Sequence, residues 1–331
     1  MSARKTTRPA TRNPKPKSKR SPIPDTPRSS FVQAMEEVRK QPRGQYQDVS
    51  GSWLLKAVGL AAVLAFICAW GTLCLLYWQG SWQLLYHPKA VIARTPASAR
   101  LSFESVKFAT TETGTPQLAG WWIPAEGAHF TVLFLHGADG NLSDTVDTLA
   151  KLNQRNLSVF AIDYRGYGQS VPAGNPSRPS EKQLRRDAEW TLTYLTVTRG
   201  IAPKQILVFG SDLGANLAAE LAADHNELAG LILDSPLQDA MATVFGDPRS
   251  RLVPARWMIA DRYDLDKAAT ALQIPSLWLF PHAANPQTEA APSAYQSAPK
   301  EKAATWLTAP VTADPRFAET LQRWLDNLPG R

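Results

Sequence analysis

Residues 205–224 read QILVFGSDLGANLAAELAAD, and their pattern points to a fold class. The first five residues form an apolar, β-rich run, and residues 213–224 have the composition of a helix. Only a short glycine-flanked turn separates the two, so a buried strand is expected to pass directly into a helix. Such a joint is typical of a sheet whose faces are covered by helices.

The same alternation extends through the chain after residue 100. The predicted strands are Leu101–Phe108, Leu118–Ile123, Thr131–His136, Ser158–Tyr164, Gln205–Phe209, Leu228–Leu233, Pro275–Phe280 and Ala304–Leu307, and the predicted helices are Leu142–Gln154, Glu181–Thr198, Leu213–Asp224 and Pro315–Leu328. Strands that are nearly all apolar and alternate with helices predict a mostly parallel sheet flanked by helices. The two early strands predict an antiparallel edge, and residues 234–274 an insertion that can carry a cap.

Four motifs identify a family resemblance. They are QLLYHP at 83–88, LHGADGN at 135–141, DYRGYGQS at 163–170 and FGSDLG at 209–214. In this order and spacing they resemble the BEM46-like and serine aminopeptidase S33-like group of α/β-hydrolases, many of which begin with one membrane span. The resemblance implies an α/β-hydrolase fold from about residue 80 onward. It does not by itself establish an activity.

The resemblance places Asp212 at the position of the catalytic nucleophile. The frame Gly-x-Ser-x-Gly of this fold is Gly210-Ser211-Asp212-Leu213-Gly214 here, so the serine stands one place early. Ser211 is therefore interpreted as a small turn residue. Asp212 has two interpretations: a nucleophile, as in haloalkane dehalogenases and epoxide hydrolases of the same fold, or a helix N-cap.

The other two catalytic positions are also altered. The loop in which the family carries its histidine reads TAPVTADP at 308–315, with Thr312 at the histidine position. The loop of the acid reads FPHAAN at 280–285, with Ala284, or Asn285 after a one-residue slip, at the acid position. Three altered positions together indicate a degenerate triad, because no base remains to activate a nucleophile.

Some residues could still support chemistry. The five histidines are His87, His129, His136, His225 and His282. His282 lies in the acid loop, so a relocated Asp212–His282 pair is the alternative hypothesis, against a plain surface-loop histidine; His136 is a weaker candidate. The resemblance implies oxyanion-hole N–H groups at Ala138 and Leu213, facing the Asp212 carboxylate. Asp234 and Asp239, just past the end of a predicted strand, could supply a displaced acid, but an acid without a histidine achieves little.

The basic character of the chain belongs to its N-terminal tail. Residues 1–50 carry 12 Lys and Arg against 4 Asp and Glu, a balance of +8, whereas the whole chain is +7, which leaves about −1 for the rest. The tail is rich in Pro, Ser and Thr, and is predicted to be disordered. The charge has two interpretations, a topology signal beside a membrane span and a nucleic-acid-binding arm. The first is favoured, because positive charge beside a span is the general rule, so no nucleic-acid partner is expected.

A transmembrane helix is predicted at 54–79. Residues 57–78 read AVGLAAVLAFICAWGTLCLLYW, 22 residues without a charge, and about 20 are needed to cross a bilayer. Trp53 and the aromatic residues Trp78, Trp82 and Tyr86 suit the two interfaces. Lys and Arg on the N-terminal side predict a cytoplasmic N-terminus and a domain, residues 80–331, outside the cytoplasm.

Two functional hypotheses follow. In the first, the chain is a membrane-anchored, non-catalytic protein that binds an unknown protein or small-molecule ligand; in the second, it is a hydrolase that uses Asp212 with His282. No cofactor and no metal are expected, because Cys68 and Cys74 both lie in the span and no phosphate loop or metal-spaced cluster occurs.

Overall fold

The structure is a computed structural model that describes residues 28–40, 50–109, 114–170, 178–281, 292–299 and 301–329. Two compact units divide the chain, residues 1–64 and residues 65–331. The long helix α2, Gly51–Gly80, begins in the first unit and ends in the second.

The described part of the tail is helical. Helix α1 spans Arg28–Lys40, so the prediction of disorder over residues 1–50 is wrong for this stretch. Its apolar residues follow helical spacing and share one face, which favours a helix over an irregular chain. They are Phe31, Val32, Met35 and Val38, each more than half exposed. Residues 1–27 and 41–49 lie outside the described residues.

Helix α2 contains the predicted span of residues 54–79. Its stretch from Gly51 to Leu84, including one further turn, is long and apolar enough to cross a membrane, with a mean hydropathy of 2.3 in its apolar window. None of that window is buried within the protein.

A sheet of eight strands forms the centre of the second unit. The strands are β1 (Glu104–Ala109), β2 (Pro116–Ile123), β3 (Thr131–Leu135), β4 (Ser158–Asp163), β5 (Ile206–Ser211), β6 (Gly230–Asp234), β7 (Ser276–Phe280) and β8 (Lys302–Trp306). Their order across the sheet is β8–β7–β6–β5–β3–β4–β2–β1. Only the pairs β1–β2 and β2–β4 are antiparallel, so the predicted antiparallel edge is confirmed.

Helices cover both faces of the sheet. Helices α3 and α10 pack on one face, and α4, α5 and α8 on the other. The helices after α2 are α3 (Val146–Asn153), α4 (Glu181–Thr193), α5 (Leu213–Asp224), α6 (Ala242–Gly246), α7 (Ala255–Met258), α8 (Leu265–Ala271), α9 (Ser293–Ser297) and α10 (Pro315–Asp326). Alternate residues of each strand enter opposite layers of the core: Leu133 and Leu135 pack on one side, Val132 and Phe134 on the other. This two-sided burial is the reason why the central strands are almost wholly apolar.

The predicted insertion forms a cap over the carboxyl ends of the strands. Residues 235–264 carry α6 and α7 between β6 and α8. The hydroxyl of Tyr86 donates to Oδ2 of Asp261 at 2.7 Å, and Nδ2 of Asn216 donates to the carbonyl of Leu237 at 2.7 Å. The cap is therefore fixed both to the segment after α2 and to α5.

Candidate functional site

The turn between β5 and α5 has the sharp geometry of a nucleophile elbow. Asp212 adopts φ 55° and ψ −123°, in the left-handed half of backbone space, where side chains are strained. Two glycines allow the close approach around it. A Cβ on Gly210 would lie 2.1 Å from the carbonyl oxygen of Gly214, and one on Gly214 would lie 2.3 Å from that of Leu135.

The carboxylate of Asp212 is directed at the loop that follows β3. A Cβ on Gly137 would come 3.0 Å from its Oδ2, so the side chain points at the loop after β3. Hydrogen bonding by the N–H groups of Leu213 and Ala138 partly offsets the rise in the pKa of this carboxyl that burial causes. The structure thus brings together Asp212, Ala138 and Leu213, the three residues assigned to the elbow and to the hole.

The helix N-cap interpretation of the Asp212 side chain is wrong. Asp212 occupies the residue before α5, but its side chain makes no capping hydrogen bond. Capping residues normally have extended backbone, which aims the side chain back at the first helical turn. The positive φ of Asp212 instead turns its carboxylate towards Gly137.

Burial raises the pKa of the Asp212 carboxyl. Desolvation is the largest cause and the charge of Asp139 adds to it, while the two N–H groups act in the opposite direction. The raised pKa means that the charged form is less stable in the folded protein than in water.

Ser211 is held by a neighbouring carboxylate. Its Oγ donates to Oδ2 of Asp234 at 3.0 Å, and Oγ of Ser235 donates to Oδ1 of the same residue at 3.0 Å. A carboxylate can orient this hydroxyl, but no histidine in the described part of the chain is hydrogen-bonded to it. Asp239 accepts from the N–H of Met241 at 3.1 Å, so it serves the start of α6. Neither aspartate stands where a displaced acid would support a histidine in the described residues.

His136 is buried beneath the loop and is a poor base. Its Nδ1 makes a hydrogen bond of 2.8 Å with the carbonyl of Gly137, and its Nε2 has no hydrogen-bond partner and lies 3.8 Å from Oδ1 of Asp163. Burial lowers the pKa of His136 to about 4. The neutral ring packs against Tyr164 and Tyr167, with centroids 4.4 and 5.0 Å away. Its role here is to shape the loop.

Two further histidines pair with carboxylates. His225 contacts Glu189 at 2.9 Å and follows α5, so it lies about 18 Å from Asp212 along that 12-residue helix. The exposed His87 contacts Asp139 at 2.5 Å. The sequence does not single out this pair, although His87 belongs to the motif QLLYHP. The pairing follows from the bridge between residues 87–88 and 139–140, which only the fold creates.

The remaining catalytic positions are only partly described. Thr312 is exposed in a turn before α10, where no described base accompanies it. The neighbouring Asp314 caps α10 and accepts from Thr308 and Arg316, which fixes the turn. His282, Ala284 and Asn285 lie outside the described residues.

Two other features concern ligands. Among the residues that the structure describes, no group of three or more His, Cys, Asp or Glu side chains is placed to hold a metal ion. A cavity of about 340 Å³ lies between the end of α2, the segment after it and the cap. Its lining is mainly apolar and aromatic, with Arg178 and Asp261 as charged residues; the larger side chains are Trp78, Trp82, Tyr86, Met241, Met258 and Ile259.

Sequence comparisons give several relatives. A sequence model of the family described as "Serine aminopeptidase, S33" matches residues 127–303. "Uncharacterized protein Rv2307c" of Mycobacterium tuberculosis is 30% identical over 224 residues, which cover 67% of this chain and 75% of that protein. "Alpha/beta hydrolase domain-containing protein 17C" of Xenopus tropicalis is 35% identical over 124 residues, 37% of this chain and 38% of that protein.

Solved structures with the same fold include two hydrolases. The esterase Pf2001 of Pyrococcus furiosus superposes with a TM-score of 0.54 at 18% identity, covering 73% of this chain and 99% of the esterase. The α/β-hydrolase GrgF of a Penicillium species gives 0.51 at 19% identity, covering 68% of this chain and 97% of that protein. At this level of identity the likeness shows the fold alone.

Proposed function

We propose that this chain, which belongs to the serine aminopeptidase S33 family, is a membrane-anchored member without serine-hydrolase chemistry that acts by binding or assembly. The observation that carries the proposal is the carboxylate of Asp212 at the nucleophile elbow, directed at the N–H groups of Ala138 and Leu213. A site is defined by its geometry and by the roles of its groups, and among the described residues no histidine is hydrogen-bonded to Asp212 or Ser211.

The Asp212 carboxylate should raise the activation free energy of acyl transfer, and general magnitudes give the size of this effect. In an ester or amide hydrolase the hole binds the negative oxygen of a tetrahedral intermediate, and losing one donor costs about 2.7–4 kcal/mol. A second negative charge at about 4 Å adds roughly 4 kcal/mol at the effective dielectric near a protein surface. Four kcal/mol corresponds to about a thousandfold in rate. The Asp212 carboxylate therefore opposes the reaction that the fold usually performs.

Membrane anchoring is part of the proposal. It is supported by the length and apolar character of α2 and by the +8 balance of the residues before it. On this basis the N-terminus is cytoplasmic and residues 80–331 lie outside the cytoplasm. The cavity between α2 and the cap is a suitable size for a small-molecule ligand.

The test is esterase activity of the purified full chain. With p-nitrophenyl butyrate, we expect the wild type, Asp212→Ala and Ser211→Ala to hydrolyse the ester at the same background rate. Turnover by the wild type that Asp212→Ala or Ser211→Ala abolishes would contradict the proposal. Thr308→Ala is a matched control away from the elbow, because its hydroxyl contacts Asp314 before α10.

The same geometry keeps one alternative open. An aspartate nucleophile that attacks an alkyl carbon would form an ester whose carbonyl oxygen could remain in the hole, so Asp212 in this position also suits a hydrolase working with a relocated His282. The two cases differ in a covalent intermediate. With a reactive epoxide or haloalkane, His282→Gln should trap an ester on Asp212 if the alternative holds, and intact-protein mass should stay unchanged if it does not. His87→Gln is the matched control, because His87 is an exposed histidine that contacts Asp139 in the loop of Ala138.

A further inference from the structure

One edge of the cap carries apolar side chains that the domain leaves uncovered. Trp257 is 92% exposed and Leu252 is 60% exposed, and Pro254 between them is exposed as well. The intervening Val253 and Ala255 are buried. We call Leu252, Pro254 and Trp257 the cap edge. The buried side chains of Val253 and Ala255 fix the segment on the protein, so the cap edge points outward.

The cap edge rests on helix α2. Nε1 of Trp70 donates to the carbonyl of Leu252 at 2.9 Å, and the hydroxyl of Tyr77 donates to the carbonyl of Val244 at 2.8 Å. Tyr77, Val253 and Ala255 form one buried cluster. One hydrogen bond from Trp70, one from Tyr77 and a small apolar cluster thus hold the cap against the helix.

The contact lies within the apolar part of α2. Trp70 precedes the last residue of the helix, Gly80, by ten residues, or about 15 Å. Around this contact the helix remains apolar on its open side, where Leu75, Leu76 and Trp78 are 51%, 60% and 53% exposed. Trp70 stands eight residues, or about 12 Å, before the end of the charge-free stretch 57–78. A bilayer that α2 crosses therefore surrounds the helix at the level of Trp70, and the cap edge reaches the same level.

The charges beside the cap edge are positive. Arg251 and Arg256 are exposed on either side of it. The acidic residue of this segment, Asp247, is already neutralised by Arg249 at 2.8 Å. Tryptophan and leucine flanked by arginine is the composition found at membrane interfaces, where the rings enter the headgroup region and the guanidinium groups bind phosphates.

We propose that the cap edge is immersed in the bilayer that α2 crosses, in the half of the bilayer on the side of the folded domain. Leu252 and Trp257 lie among the lipids, and the long side chains of Arg251 and Arg256 extend towards the phosphate headgroups. The inference rests on the membrane anchoring proposed above and goes beyond it, because it gives the domain a fixed orientation on the membrane. The cavity between α2 and the cap then lies beside the lipid surface, which favours an amphiphilic ligand.

Hydroxyl-radical footprinting of the unmodified full chain tests this seating. The chain is placed in nanodiscs of phosphatidylcholine and phosphatidylglycerol, and oxidation of individual side chains is read by peptide mass spectrometry. Trp190 on α4 is the internal control, at 41% exposure. In water, the exposures of 92% and 41% would make Trp257 react about twice as fast as Trp190. With the cap edge in the bilayer, Trp257 should react more slowly than Trp190.

The outcomes separate the two proposals. Phe66, in the middle of α2 and 72% exposed, reports on anchoring. Protection of both Phe66 and Trp257 supports the seating. Protection of Phe66 with Trp257 oxidised faster than Trp190 overturns the seating and leaves the anchoring intact. Oxidation of Phe66 contradicts the anchoring, and the seating falls with it.

Discussion

Replacing Asp212 by glycine should raise the free energy of unfolding, because two costs at this position disappear together. The first is backbone strain, since φ is 55° at a residue with a Cβ. The second is the half-buried carboxylate, whose pKa is raised chiefly by desolvation. Because Asp212 makes no capping hydrogen bond, the substitution removes no helix cap.

The size of the effect follows from these two terms. A residue held in a sparsely populated backbone region costs about 1–3 kcal/mol. Glycine also makes the unfolded chain more flexible, which lowers the gain in stability by about 0.4–1 kcal/mol. The net gain is about 0–2.6 kcal/mol before the carboxylate is considered, and removal of the carboxylate acts in the same direction. For a domain of this size, 1 kcal/mol corresponds to about 2–4 °C in Tm.

Thermal unfolding in one detergent, followed by tryptophan fluorescence, measures the change. Asp212→Ala is the matched variant, because it removes the carboxylate and keeps the strained Cβ; its Tm should lie between those of wild type and Asp212→Gly. The raised folded-state pKa also means that the wild type loses stability relative to Asp212→Gly as the pH rises from the ordinary carboxyl value of 3.8. A lower Tm for Asp212→Gly would refute this reasoning and would show that the carboxylate stabilises the elbow.

Further predictions concern the buried groups around the site. His136, with its pKa lowered from 6.5 to about 4, binds protons more weakly in the folded state, so stability should fall by on the order of 3 kcal/mol as the pH drops across that range. His136→Gln should flatten this part of a stability-against-pH curve, and equal slopes would contradict the burial argument. Asp187→Ala should destabilise by about 3 kcal/mol, because it leaves Arg165 without its ion partner at 2.6 Å. Asp147→Ala, which breaks an exposed pair with Arg94, is its control and should cost less than about 1 kcal/mol in the same denaturant titration. A phosphatase that is active only outside the cytoplasm, fused after Arg331, should be active. An inactive phosphatase fusion, together with a fluorescent fusion of a reporter that works only in the cytoplasm, would show that the orientation is the reverse.

Most of the fold could be predicted, because strands that are buried on both faces are nearly continuous apolar runs in the sequence. All eight predicted strands occur, and helix α5 has the predicted bounds Leu213–Asp224. The ends of other elements shifted by a few residues, since strand ends depend on pairing. Ser211, for example, belongs to β5 because it pairs with Asp234 in β6.

The helix in the tail was missed although its signal was present. Phe31, Val32, Met35 and Val38 have the i, i+1, i+4, i+7 spacing of an apolar helical stripe. The composition of the whole tail, rich in proline and charge, outweighed this short pattern. Composition averaged over 50 residues cannot reveal an ordered stretch of 13.

The direction of the Asp212 side chain could not be predicted from local sequence rules. An aspartate before a helix ordinarily reads as an N-cap, because that rule assumes an extended backbone. The elbow forces a positive φ through the close packing of Gly210 and Gly214, and so redirects the carboxylate. The pairing of His87 with Asp139 is likewise a product of the fold, as 52 residues separate the two.

Labelling with a fluorophosphonate tests the central claim most directly, because this probe reacts with a serine only where a base activates it and a hole stabilises the product. The wild type should remain unlabelled by intact-protein mass, and so should Asp212→Ser, which restores the serine nucleophile at the elbow without restoring a histidine. Stoichiometric labelling of Ser211 in the wild type, or of the new serine in Asp212→Ser, would show that a working base is present and would contradict the account.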